Sequence, residues 1–271
     1  MIPQAHITAW RAVAPWGDDA QVEQDLVLSR AVVEIFSDLE LAESLALRGG
    51  TALSKLFIQP ASRYSEGIDL VQVKPGAIGG VLNAIRRRLD PWLGHPKQSS
   101  GEASVTLTYR FESEEPPARP LRLKIEINTR EHFAVLKYNW LPLLVDNPWF
   151  AGEADVTTYA LDELVGTKLR SLYRRRKRRD LFDLWLCPSR GLIAPAQGVA
   201  CFAAYMTHER RTISRAEFER SLFEKDSNPG FLGDLHPLLA GSVNNDASIA
   251  MAVVRDRLVS RLKDEPWRGT Q

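Results

Sequence analysis

Between Arg48 and Leu70 the chain reads RGGTALSKLFIQPASRYSEGIDL, the stretch in which residue types suited to phosphate chemistry are most concentrated. Gly49 and Gly50 carry no side chains, so backbone N–H groups there can meet phosphate oxygens, and a helix following Thr51 would add its positive N-terminal end. Asp69 lies inside an otherwise apolar run, Ile68 to Val73, where a carboxylate must be paired, protonated or bound to a cation. Residues i and i+2 of a strand share one face roughly 6.5 Å apart. That spacing suits two carboxylates holding the pair of divalent ions that nucleotidyl transfer commonly uses. The two positions here are Gly67 and Asp69, of which only the second carries a carboxylate.

The elements that must position these residues follow from hydrophobic spacing. Val22, Leu26, Ile35 and Leu39 recur at helical intervals between Asp18 and Leu45 and predict one or two helices. Leu45 to Leu47 then runs into the glycine pair and an apolar-periodic segment to Ile58: strand or helix end, tight turn, helix. Ile68 to Val73 reads as a short strand, closed by Lys74-Pro75-Gly76, and Gly79 to Leu93 as a helix. Val105 to Phe111 and Leu121 to Asn128 alternate as strands of a hairpin around the acidic loop SEEPPARP. Glu126 falls between Ile125 and Ile127, where alternation by itself simply turns it to solvent. Asn147-Pro148 breaks the chain, and a domain boundary is expected near Trp149, dividing residues 1–150 from a helical part, 151–271. That part should open with one helical tract from about Leu161 to Leu186 and close with a helix from Ala247 to Leu262, marked by Ile249, Val253, Leu258 and Leu262.

Composition narrows the class. With 271 residues, 44% apolar and 25% charged, the chain can bury a core and is not a disordered polymer. Lys and Arg total 35 against 34 Asp and Glu, so overall charge points to neither nucleic acid nor membrane. Arg170 to Arg179 nonetheless carries seven cations in ten residues, which is either a solvated helix face or a surface for an RNA backbone. Tyr173 among them could stack on a base, though aromatics at helical spacing more often pack inward. Cys187 and Cys201 lack metal-ligand spacing and read as reduced packing residues, which places the protein in the cytoplasm. The N-terminus has no secretory pattern and no run reaches membrane-spanning length.

Arg48-Gly49-Gly50-Thr51-Ala52-Leu53 followed by Arg63-Tyr64-Ser65-Glu66-Gly67-Ile68-Asp69-Leu70 resembles the AbiEii/AbiGii nucleotidyltransferase toxins, which include the MenT toxins. Their usual form is Ser-x-Asp-Ile-Asp, from which position 67 departs. The resemblance implies an α+β fold: an N-terminal polymerase β-like mixed sheet with helices, and a helical C-terminal domain contributing nucleotide and acceptor contacts. It implies triphosphate binding by Gly49, Gly50, Thr51 and Ser65, catalytic positions at 67, Asp69 and Glu126, and Mg²⁺ or Mn²⁺ held by Asp69 and Glu126. Through DELVGTKLRSLYRRRKRRDLFDLW it further implies a phosphate contact from Lys168 and an Arg-Asp-x-x-Asp signature containing Asp180, as a catalytic residue, and Asp183. The plainer reading of those two aspartates is a salt bridge with Arg176 or Arg179.

The implied activity is transfer of a nucleoside monophosphate from an NTP to an acceptor, tRNA for some members, countered by a separately encoded antitoxin. With Gly67 in place of a metal-binding aspartate, severe loss of activity is expected. Either the transferase is degenerate or a native aspartate has been replaced, and the intact remaining motif favours replacement. A protein acceptor, including self-modification at a serine such as Ser65, and a non-catalytic nucleotide- or RNA-binding module are the competing readings.

Overall fold

The computed structural model describes residues 2–269 apart from 234, 242, 244 and 245. It divides into two compact units, the first formed by Met1–Ala134, Tyr138–Tyr159 and Leu238–Ser242, the second by Val135–Lys137, Ala160–Pro237 and Val243–Gln271.

The first unit opens with helices α1 (Gln4–Trp10), α2 (Asp19–Phe36) and α3 (Leu39–Ser44). Asp18 and Asp38 start the latter two by accepting first-turn N–H groups on their carboxylates, Asp18 from Ala20 and Asp38 from Glu40 and Leu41. Strand β1 (Leu45–Arg48) runs straight into a short helix α4 (Gly49–Ala52), which continues as a π turn over Leu53–Phe57. Next come β2 (Gly67–Gln72), α5 (Gly79–Leu93), β3 (Lys97–Ser100), β4 (Ser104–Glu112), β5 (Pro120–Asn128), β6 (Tyr138–Asn147) and β7 (Phe150–Tyr159). The strands make one seven-stranded sheet in the order β3-β4-β5-β2-β1-β7-β6. It is mixed: β2 pairs parallel with β5 and β1 parallel with β7, while the other neighbours are antiparallel.

Period-two alternation decides which face carries chemistry. Ile68 and Leu70 on β2 and Leu123, Ile125 and Ile127 on β5 are buried, with α2 packed on β2, β5, β6 and β7. Gly67 and Asp69, and Lys124 and Glu126, therefore project from the opposite face.

Three strands depart from sequence expectation here. The β6–β7 hairpin was not expected, and Asn147-Pro148 is its turn: Asn147 pairs with Phe150, and the Trp149 N–H donates to Asn147 Oδ1 at 2.9 Å. The division between units accordingly falls after Tyr159, not near Trp149, because β7 is held in the sheet by pairing with both β6 and β1. Pro142 disguises β6, an edge strand, where a missing N–H is tolerated. Strand β3, KQSS, is wholly exposed and carries no alternation to read.

The second unit is helical: α6 (Leu161–Arg174), α7 (Arg178–Ser189), α8 (Pro195–His208), α9 (Arg215–Asp226), α10 (Pro229–Gly233) and α11 (Ala247–Arg257). The tract expected as one helix breaks at 175–177, where Arg175 is extended. Six consecutive cations, Arg174 to Arg179, repel one another along a helix, and Arg175 turns instead toward an aspartate of α7. Gly166 lets α6 approach α8 closely, since a Cβ there would stand 2.7 Å from the Cβ of Cys201. Cys187 and Cys201 are buried free thiols. Tyr173 packs its ring on Phe218, the inward reading. Along α11 and its C-cap Leu258 the buried line is Ala250, Val254 and Leu258, and Ile249, expected to face inward, is 59% exposed. Among the described residues no helix is long and apolar enough to cross a membrane.

Candidate active site

The site in the first unit begins at the end of β1. Gly49 has φ +77°, and a Cβ built on it would stand 2.3 Å from Asp69 Oδ2. Glycine is thus required twice, by the left-handed backbone and by the carboxylate seated against it. At Gly50 a Cβ would meet an Arg63 guanidinium nitrogen at 2.4 Å. Arg63 is buried, and the segment around it is pinned by the Tyr64 N–H donating to the Leu238 carbonyl at 2.7 Å. The Thr51 hydroxyl shares a 2.9 Å hydrogen bond with Ser65 Oγ and donates to the Gly67 carbonyl. Four of the sequence-predicted residues, Gly49, Thr51, Ser65 and Asp69, therefore meet within one small region.

Strand register supplies the rest. Arg48 pairs with Asp69 across β1 and β2, Asp69 with Glu126 across β2 and β5, and Glu126 with Thr106 across β5 and β4. The row reads cation, carboxylate, carboxylate, hydroxyl on one face. Neighbouring strands lie about 4.8 Å apart, so Asp69 and Glu126 can share a ligand. Asp69 is exposed and Glu126 partly so. Arg48 Nη1 donates to Glu131 Oε2 at 2.7 Å. Burial alone would lower the Arg48 pKa, but Glu131 above all, with Tyr159 and Asp69, holds it above the usual arginine value.

Position 67 is more than a missing side chain. Gly67 pairs with Lys124, and a Cβ at 67 would stand 2.8 Å from the Lys124 carbonyl oxygen. An aspartate there needs β2 and β5 to move apart locally. Lys124 also sends its ammonium to the Glu126 carboxylate, the two side chains being 51% and 39% exposed.

Among the described residues no three His, Cys, Asp or Glu side chains converge as a metal site. Asp69 and Glu126 supply hard oxygen donors from adjacent strands. Such a donor set fits one hydrated Mg²⁺, which typically keeps several waters and takes one or two carboxylates plus substrate phosphates. It does not fit a pair of ions.

Lys168, Asp180 and Asp183 belong to the second unit and form a cluster of their own. Lys168 Nζ lies 3.1 Å from Asp180 Oδ1 and 2.8 Å from Asp183 Oδ2, the three side chains being 7%, 0% and 4% exposed. Arg175 donates to both Asp180 oxygens, at 2.7 and 3.0 Å. Burial would raise the Asp180 pKa, but Lys168 and Arg175 outweigh it and bring it down to about 2. The plain salt-bridge reading is thus correct in kind, with Arg175 and Lys168 as partners rather than Arg176 or Arg179. The basic run is also partly committed internally, since Arg170 and Arg174 both bind Glu209.

Sequence reasoning gave no role to Arg48, Arg63, Lys124 or Glu131. Arg48 abuts the glycine pair and Lys124 sits two residues before Glu126 on the same strand face, so both had a readable signal. Glu131 follows β5 without any pattern to mark it.

Comparison with known proteins adds the following. The model of the nucleotidyl transferase AbiEii toxin family, of type IV toxin–antitoxin systems, matches residues 30–251. No curated protein sequence matches the chain. Among solved structures, the nucleotidyltransferase toxin MenT4 of Mycobacterium tuberculosis superposes with a TM-score of 0.69 at 17% identity, covering 97% of this chain and 91% of that one. JHP933 of Helicobacter pylori superposes with a TM-score of 0.58 at 16% identity, covering 89% of this chain and 92% of that one. At such identities these likenesses speak for the fold.

Proposed function

Because the chain belongs to the AbiEii family of nucleotidyl transferase toxins, we propose that it takes a nucleoside triphosphate at the Gly49–Asp69–Glu126 site and transfers the nucleoside monophosphate to an RNA hydroxyl, with tRNA as acceptor. The observation that carries this reading is the register of β1, β2 and β5, which sets Asp69 against Gly49 and beside Glu126.

Gly49, half-buried beside the Asp69 carboxylate, lets a phosphate oxygen approach the backbone, Gly50 is buried against the Arg63 guanidinium, and Thr51, tied to Ser65 and to the Gly67 carbonyl, fixes the shape of that turn. Arg48, anchored by Glu131, stands beside Asp69 and limits where its carboxylate can turn. Asp69 and Glu126 would hold one Mg²⁺ or Mn²⁺, which supplies charge neutralisation at the reacting phosphate oxygens. The acceptor hydroxyl attacks the α-phosphate in line, forms the new phosphodiester and expels pyrophosphate, its proton passing to solvent. The phosphate contact that the resemblance implies for Lys168 is a separate proposal for the second unit, where its ammonium is held by Asp180 and Asp183. A cognate antitoxin is implied by the family.

With two carboxylates instead of three, slow transfer is expected. The missing carboxylate at position 67 also favours a second reading, a nucleotide- or RNA-binding module without turnover.

The deciding experiment incubates the chain and its Gly67→Asp variant with each labelled triphosphate, Mg²⁺ and total tRNA, with circular dichroism to confirm that the variant is folded. Label in tRNA from either form supports the transferase reading and names the nucleotide. Triphosphate binding without transfer by either folded form supports the binding module instead, and transfer to the protein itself replaces tRNA by a serine acceptor.

A further inference from the structure

Lys124 is the cross-strand neighbour of Gly67 and, two residues before Glu126, shares that residue's face of β5. Its ammonium holds the Glu126 carboxylate, and its side chain is half exposed, so further N–H donors remain for a ligand on the open face. We infer that Lys124 supplies, as a fixed ammonium, the positive charge that a second divalent ion would otherwise bring to the triphosphate, so that this site works with a single ion.

The inference rests on the nucleotide reading above and deepens it through charge and space. Three carboxylates with two divalent ions carry one net positive charge toward the substrate. Asp69, Glu126, Lys124 and one divalent ion carry the same. The electrostatic demand of a triphosphate is then met by a different set of groups, at the one position where a carboxylate is absent. Space agrees with charge: the Lys124 carbonyl stands 2.8 Å from where a Cβ of residue 67 would lie, so β5 has closed on that position. Arg48 does not fill this role, because its partner Glu131 lies outside the Asp69–Glu126 pair, so the two add no net charge to the site, and its side chain is only 21% exposed.

The test uses the full chain, Mn²⁺ as a paramagnetic probe and the α,β-methylene analogues of the four nucleoside triphosphates, which bind without transfer. Electron paramagnetic resonance counts the bound ions, and calorimetry measures triphosphate affinity at fixed Mn²⁺. One Mn²⁺ per nucleotide complex is expected, with affinity about tenfold or more weaker in Lys124→Gln, the scale of one lost charge-assisted contact, and largely kept in Lys124→Arg. Lys124→Met, of similar length, repeats the test if the glutamine variant does not fold. Two bound Mn²⁺, or an unchanged affinity in folded Lys124→Gln and Lys124→Met, overturns the inference while leaving the nucleotide site standing. Failure of the unaltered chain to bind any of the four analogues overturns both.

Discussion

Asp69 and Asp180 are both aspartates of motifs that stand out in the sequence, yet one is exposed on the open face of a sheet and the other has no exposed side-chain surface. Around Asp69 the cations are arranged at the edges: Arg48 is tied to Glu131, and Lys124 to Glu126. Around Asp180 they are spent inward, with Lys168 bridging Asp180 and Asp183 and Arg175 gripping Asp180 from the helix break. The same residue types thus serve two ends. A carboxylate left at the surface with an incomplete set of partners can accept a ligand, whereas a buried carboxylate with cations on both oxygens fastens α6 to α7.

The sharpest way to break this comparison is Asp180→Ala. Removing one partner of a buried ion pair leaves the others desolvated and uncompensated, a loss of about 3–5 kcal/mol. Urea denaturation of the variant checks it, and a loss below about 1 kcal/mol would mean that the cluster fastens nothing. Acid tests the same group without mutation. Asp180 has its folded pKa brought from 3.8 down to about 2, so its contribution is fully present above pH 3.8 and is lost as pH falls through about 2. That shift corresponds to about 2 kcal/mol. The acid limb of stability below pH 4 should therefore flatten in Asp180→Ala relative to the unaltered chain.

Gly49→Ala probes the other region. A left-handed backbone angle costs a non-glycine residue about 1–2 kcal/mol, and the new methyl would also displace the Asp69 carboxylate from its seat. The variant should melt lower by that modest amount yet lose most of its triphosphate affinity, a disproportion that the Asp180 variant should not show relative to its much larger destabilisation.

How much of this was legible in the sequence differs between the regions for a physical reason. β4 and β5 announced themselves because one face of each is buried and the other is not, and β2 as a compact apolar run between glycine and proline; alternation turned Glu126 outward, and only the family resemblance set it beside Asp69. The β6–β7 hairpin did not, since Pro142 and the exposed Trp140 and Leu144 blur the alternation of an edge strand. In the helical unit the charges were visible but their partners were not. Spacing along one helix suggested Arg176 or Arg179 for Asp180, whereas the break at 175–177 brings Arg175 and Lys168 to it. Strand pairings across the sheet, which no single-chain pattern prints, are what revealed Lys124 opposite Gly67.

The smallest expected effect on stability is the most discriminating. Asp69→Asn keeps the shape of the side chain against Gly49 and removes only its charge, at an exposed position where substitutions usually change stability by no more than about 0.5 kcal/mol. Its melting curve should overlay that of the unaltered chain, while Mn²⁺ binding with a triphosphate analogue should fall by about tenfold or more, since a hard divalent ion needs anionic oxygen donors. The pair of measurements separates the two kinds of aspartate directly. Should Asp69→Asn lose stability on the scale expected of Asp180→Ala, Asp69 would be a fastening residue too, and the open face of the sheet would no longer be the place where this chain meets its substrate.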